Sequence, residues 1–146
     1  MDTPRTIAIL NELLAAEQDA LLPHLLRSAL VVSPTSAAEL DTLRRIERET
    51  QEHSAWLAEL ILERDGAPAL RPADTRVAGM HYRDLHHALP LLLNDCTARI
   101  DLYQRAAEQL GSDRDALALV DRIRTRHEQH RQTLQSPVSP SSAPAL

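Results

Sequence analysis

Apolar residues recur along this chain in alternating steps of four and three, and that period constrains what it can fold into. The clearest run is Ala116, Val120, Ile123, His127, His130 and Leu134, with steps of 4, 3, 4, 3 and 4. Such a series marks one face of an α-helix turned toward an interior. A second run, Leu43, Ile46, Thr50, His53, Leu57 and Leu60, shows the same alternation. Both seams place histidine where an apolar side chain belongs. A buried polar group without a partner costs on the order of 1–3 kcal/mol, so three inward imidazoles call for a metal or a dense polar network.

Pro, Gly and Ser clusters divide the chain into four such segments. The first spans about Thr6 to Val32, with Ile7, Leu10, Leu14, Glu17, Leu21 and Leu25 inward and a bend expected at Pro23. The second follows a Ser/Thr cap at Thr35 or Ser36 and reaches Asp65, where Gly66 ends it. The third runs from about Met80 to Leu110, with Leu85, Leu89, Leu92, Cys96, Ile100, Tyr103, Ala107 and Leu110 as its stripe and Pro90 inside it. Gly111 stops it, Ser112 or Asp113 caps the fourth, and that helix fades before Ser136. Residues 1–135 therefore read as one all-α bundle, and the Ser/Pro/Ala segment from Ser136 to Leu146 as a disordered tail.

Connection lengths give the topology. They read short, long, short: Ser33–Ser36, Gly66–Gly79 and Gly111–Asp113. The middle one spans ~45 Å if extended at ~3.3 Å per residue, the length of a thirty-residue helix at ~1.5 Å rise. Helices 2 and 3 can thus run parallel. The expected fold is a four-helix bundle with one long crossover between helices 2 and 3, and a plain up-down-up-down bundle is the alternative.

At 146 residues the chain is long enough for one core without disulfides, and its single cysteine forms no internal bridge. No stretch approaches the ~18 apolar residues of a membrane span, and no leader-like apolar run opens the chain. A net charge of -5 argues against nucleic acid as a partner. The expected setting is a reducing cytoplasm.

Antiparallel neighbours joined by a short loop align residues equally far from that loop. Counting from Val31, Glu17 lies fourteen residues back; counting from Ala37, Thr50 and His53 lie thirteen and sixteen forward. Asp95 lies sixteen residues before Gly111, and His127 and His130 lie fourteen and seventeen after Asp113. Glu17, His53, Asp95, His127 and His130 therefore share one level near mid-bundle. Three neutral imidazoles and two carboxylates form a ligand set suited to zinc, iron, copper or manganese.

With those positions placed, the chain resembles the ferritin-like superfamily, bacterioferritin and rubrerythrin in particular, over residues 6–134. The stretches that carry the resemblance are Leu10-Asn11-Glu12-Leu13-Leu14-Ala15-Ala16-Glu17 and His53 through Gly66-Ala67-Pro68. The family's two-iron centre uses Glu on helix 1, Glu-x-x-His on helix 2, Glu on helix 3 and Glu-x-x-His on helix 4. The matching positions here read Glu17, Thr50-x-x-His53, Asp95 and His127-x-x-His130. Thr50 and His127 depart from the pattern and Asp95 is a shortened substitute. Glu49, one turn from His53, is a replacement for the lost carboxylate, as is Glu52. The resemblance implies iron, mono- or dinuclear, with zinc or manganese as alternatives, and association into homodimers or larger assemblies. For two irons it implies a ferroxidase-like oxidoreductase that reduces dioxygen or peroxide. Replacement of bridging carboxylates by histidine favours one ion over two.

The competing reading is a metal-free structural or interaction bundle whose histidines bond to Glu17, Asp95, Thr50 and water. A hemerythrin-like oxygen carrier ranks last, because the His-x-x-x-Glu spacing is absent around His53 and His127. His81, His86 and His87 read as solvated surface, His24 as a core-edge residue, and Cys96 as buried filler. Trp56 and Tyr103 read as packing residues that also shield the site or carry an electron.

Overall fold

The computed structural model describes residues 3–23, 37–69 and 85–135. Four long helices make up almost all of them: α1 Thr3–Gln18, α2 Ala37–Glu63, α3 Leu85–Leu110 and α4 Arg114–Gln135. No strand occurs among the described residues, and no helix there is long and apolar enough to cross a membrane. The all-α four-helix bundle expected from the seams is the observed fold.

The seams point inward as their spacing requires. Every member of the α4 series from Ala116 to Leu134 is buried, and so is every member of the α2 series from Leu43 to Leu60. Two apolar clusters result. Leu10, Leu57, Ile61, Tyr103, Leu110 and Val120 belong to the larger one, and Leu21, Leu43, Ile46, Leu92 and Leu134 to the smaller. Each buried leucine or isoleucine contributes about 1.5–3 kcal/mol relative to exposure. Glu17, Thr50, His53, His127 and His130 are buried at the levels between the two clusters. The interior is therefore layered: apolar, polar, apolar.

The clusters also give the helix directions. α1 and α4 start at the larger cluster and end at the smaller, whereas α2 and α3 do the reverse. α1 packs on α2 and α3, and α4 packs on α3 and α2. Helices α2 and α3 thus run parallel across the bundle, so the chain leaves α2 at one end and enters α3 at the other. The path of the connecting residues 70–84 lies outside the described residues, as do 24–36 and the tail 136–146.

The first helix ends earlier than its sequence pattern implies. The pattern runs on past Pro23, but α1 closes at Gln18 and helical geometry resumes only at residues 21–23. The cause lies four residues before the proline, where the ring would meet the carbonyl of Asp19. The break frees the Leu21 N–H, which donates to Asp95 Oδ2 at 3.1 Å instead of continuing the helix. Pro90 lies inside α3, at its sixth residue, and offers no N–H to the helix there.

The helix ends near the larger cluster are closed by backbone bonds in α2 and by a side chain in α4. α2 ends with Gly66 N–H donating to Ile61 C=O at 2.9 Å and Asp65 N–H to Leu62 C=O at 3.0 Å, the paired pattern of a Schellman cap. Asp65 takes the left-handed conformation, with φ 62°. Gly66 serves a different need: a Cβ there would stand 2.9 Å from two carbon atoms of Ile7. Asp113 caps α4, accepting the Ala116 N–H at 3.1 Å. The same carboxylate grips Arg64 through two bonds, at 2.8 and 3.3 Å, tying the end of α2 to the start of α4.

That ion pair carries a pH prediction. The hydrogen bond from Arg64 holds the Asp113 carboxyl below the usual range against the opposing effect of burial. A carboxyl whose folded value is depressed adds stability above its unfolded value of about 3.9, and this is lost as pH falls through the folded value. Asp113→Asn keeps a capping oxygen but loses the charge. It should be less stable than wild type at pH 7, with the gap shrinking below about pH 4 in urea unfolding. A gap that persists undiminished at pH 2 would show that the Asp113 charge is not its source.

Candidate metal centre

The polar layer is built from all four helices. α1 supplies Glu17, and its carboxylate is the hub. Oε2 accepts from the Tyr103 hydroxyl at 2.6 Å and from His127 Nε2 at 2.7 Å. Oε1 has no hydrogen-bond partner and stands 3.6 Å from His53 Nδ1. Neither nitrogen of His53 has a partner, although the residue is 0% exposed. Glu17, His53 and His127 each offer one ligand atom, all within 4.8 Å of one another.

The second α4 histidine stands beside this group. The His130 ring is 6.1 Å from His53 and 5.8 Å from His127, measured between centroids. Its Nε2 lies 2.7 Å from Glu49 Oε1, and its Nδ1 is buried without a partner. Glu49 also accepts from Arg126 at 3.2 Å and stands 3.7 Å from Arg45. An ionised carboxylate only accepts, so the His130 proton belongs on Nε2 and a lone pair is left on Nδ1. A carboxylate orienting an imidazole in this way is the usual support of a metal-binding histidine.

Burial and charge set the protonation states. Burial pushes the Glu17 carboxyl up, but the charge and hydrogen bond of His127 and the positive charge of Arg99 outweigh it, so it sits below the usual range. Burial lowers His127, with Glu17 opposing, and pushes His130 down to about 4 despite its bond to Glu49. Tyr103 lies well above its ordinary value, through burial and the adjacent Glu17 charge, and stays a hydroxyl donor. Burial favours the uncharged form of His127 and His130 at neutral pH. That is the protonation a metal ion requires of its ligands.

The remaining predicted residues have other partners. Asp95 Oδ2 accepts from Arg99 Nη1 at 2.8 Å as well as from the Leu21 N–H. Thr50 donates its hydroxyl to the Ile46 carbonyl at 2.9 Å, which leaves it a spacer. Cys96 is buried, its thiol pushed up by burial and directed at the His127 carbonyl at 3.3 Å. Glu52 is exposed and joins nothing in the layer. The side chains of His24, His81, His86 and His87 lie outside the described residues.

Two participants are absent from the sequence reading as polar members of the site. Tyr103 was placed as packing, yet its hydroxyl anchors Glu17. Arg99 drew no notice, because a lone arginine beside a helical seam is ordinarily solvated. The available signal was spacing: Asp95, Arg99 and Tyr103 recur every four residues along one face of α3.

One pair in the layer has a spacing near that of two ligands on a small transition-metal ion. Two ligands about 2.0–2.1 Å from a tetrahedral ion stand about 3.3 Å apart. The Glu17 Oε1 to His53 Nδ1 separation is 3.6 Å. Comparison with protein-family models, with curated proteins and with solved structures finds no match for this chain.

Proposed function

We propose that this bundle is a ferritin-like protein that binds a non-haem metal ion in its interior. The ligands are Glu17, His53 and His127, with His130 adjacent and oriented by Glu49. One observation carries the reading. Glu17 Oε1, both His53 nitrogens and His130 Nδ1 are buried and have no hydrogen-bond partner. Left bare, each would cost about 1–3 kcal/mol, and an ion held by Glu17 Oε1 and the unprotonated nitrogen of His53 relieves two of them.

Iron is the ion the family resemblance favours, with zinc or manganese as alternatives for the same nitrogen and oxygen set. When bound, iron would supply one-electron chemistry between its ferrous and ferric states. The chain's own residues hold the site ready for it. Tyr103 and His127 fix the Glu17 carboxylate so that its free oxygen faces His53, and the apolar clusters on either side exclude bulk water. Iron oxidation and defence against oxidative stress follow only if a second iron binds. A cytoplasmic setting and assembly into homodimers or larger oligomers belong to this proposal through the resemblance and the single cysteine.

A metal-free interaction bundle is the second reading. The observation favouring it is that Glu17 Oε2 and Asp95 already have protein donors. Elemental analysis separates the two, using protein purified without a histidine tag and loaded with ferrous or manganous ion. About one bound equivalent is expected, and fewer than about 0.1 would overturn metal binding. Trp56, the sole tryptophan, has its ring 5.4 Å from the His53 ring. Paramagnetic Co(II) should therefore quench its fluorescence, whereas Zn(II) should not, and His127→Ala should weaken the Co(II) response at least about 100-fold in concentration.

A further inference from the structure

Helix α3 gives the centre donors rather than bare acceptors. Its polar residues on this face are all committed. Tyr103 donates to Glu17, and Asp95 accepts from Arg99 and Leu21. The three residues whose ligand-type atoms lie within 4.8 Å of one another come from α1, α2 and α4. Beside them lies a cavity of about 20 Å³, with Thr50, Asp95, Arg99, His127 and His130 in its wall. A space of that size holds about one water. The Arg99 side chain on its wall is only 9% exposed, and its Nε has no hydrogen-bond partner.

We propose that Arg99 acts as a built-in second cation, so that the interior takes one divalent ion and excludes another. The inference rests on the metal-binding reading above and specifies its ion count. A pair of metal ions about 3.5–4 Å apart needs acceptors to bridge them and offset their charge. Glu17 has one free oxygen for that task, Thr50 gives its hydroxyl to the backbone, and Asp95 Oδ2 already accepts from Arg99 and from the Leu21 N–H. Guanidinium does not lose its proton in proteins. With ligand histidines uncharged, one divalent ion on Glu17 leaves a single excess positive charge, and a second ion would leave three. The Arg99 guanidinium adds to that repulsion and keeps Asp95 from serving as the missing acceptor. The adjoining cavity is left to a water molecule.

The test is a Co(II) titration of the full chain, read by visible absorption of the bound ion and by elemental analysis. Wild type should saturate at one equivalent. Arg99→Gln, which removes the charge and frees Asp95, should take a second equivalent at least about 100-fold more tightly than wild type does. Arg99→Lys, which keeps the charge, should stay at one. If circular dichroism shows that Arg99→Gln does not fold, Arg99→Met is the neutral replacement, and the wild-type count still decides. Two ions of similar affinity in wild type, or a folded neutral variant that remains at one, would overturn the role of Arg99. Failure of wild type to bind any Co(II) would instead overturn the metal-binding reading beneath it.

Discussion

His53→Leu should make the metal-free protein more stable by about 1–2 kcal/mol while lowering its affinity for a transition-metal ion at least about 100-fold. The two effects share one cause. His53 is fully buried with both ring nitrogens unpartnered, so the wild-type fold carries polar atoms that are of use only to a ligand. Leucine is of similar size and has nothing to leave unsatisfied. Metal reverses the order. At a free concentration 100 times its dissociation constant, an ion bound only by the native state adds about 2.7 kcal/mol, which the variant cannot gain. Urea unfolding of both proteins, with EDTA and again with excess Zn(II), measures the crossing. A variant destabilised by more than about 1 kcal/mol in EDTA would mean that the His53 nitrogens are bonded in the apo protein, and the argument for a ligand would fall with it.

Glu17→Ala should be the most damaging single change in the polar layer, at about 3–5 kcal/mol. It removes the acceptor for the Tyr103 hydroxyl and for His127 Nε2, and it takes away a negative charge that acts on the buried Arg99. Glu17→Gln should cost about 1–2 kcal/mol, since its carbonyl oxygen still accepts from Tyr103 while the charge is gone. The separation of the two variants is the informative quantity. A gap of about 2 kcal/mol corresponds to about 6–10 °C in melting temperature for a domain of this size. Equal losses would show that the carboxylate acts through its charge rather than by filling space or receiving hydrogen bonds. Both variants should lose metal binding, because neither keeps an anionic oxygen opposite His53.

The positions in the layer were legible because they fall on seams. Thr50, His53, His127 and His130 continue apolar runs at helical spacing, so their burial follows from the same period that buries Leu57 and Ile123. Equal distances from the short connections placed Glu17 level with His53, and the Glu17–His53 separation agrees. The partners were less legible. Hydrogen-bond direction depends on rotamers and on small differences in helix rotation, which spacing does not encode. Asp95 is a candidate ligand by level, and Glu49 as the replacement for the carboxylate missing at Thr50. Their carboxylates are instead joined to Arg99 and to His130 with Arg126, pairings that require the cross-bundle contacts to be known.

What the sequence determined by itself is the part of this protein that depends on period and length: four amphipathic helices, a connection at Gly111–Asp113 too short for anything but a hairpin, and a polar layer midway along the interior. Tertiary packing decided the chemistry of that layer. It turned Tyr103 and Arg99 inward, ended α1 at Gln18 so that the Leu21 N–H could reach Asp95, and left the free lone pairs on Glu17, His53 and His130. The division is physical. Burial on a helix repeats with the turn and can be counted along one chain, whereas a hydrogen bond between helices is set within a few tenths of an ångström by how two separate surfaces meet.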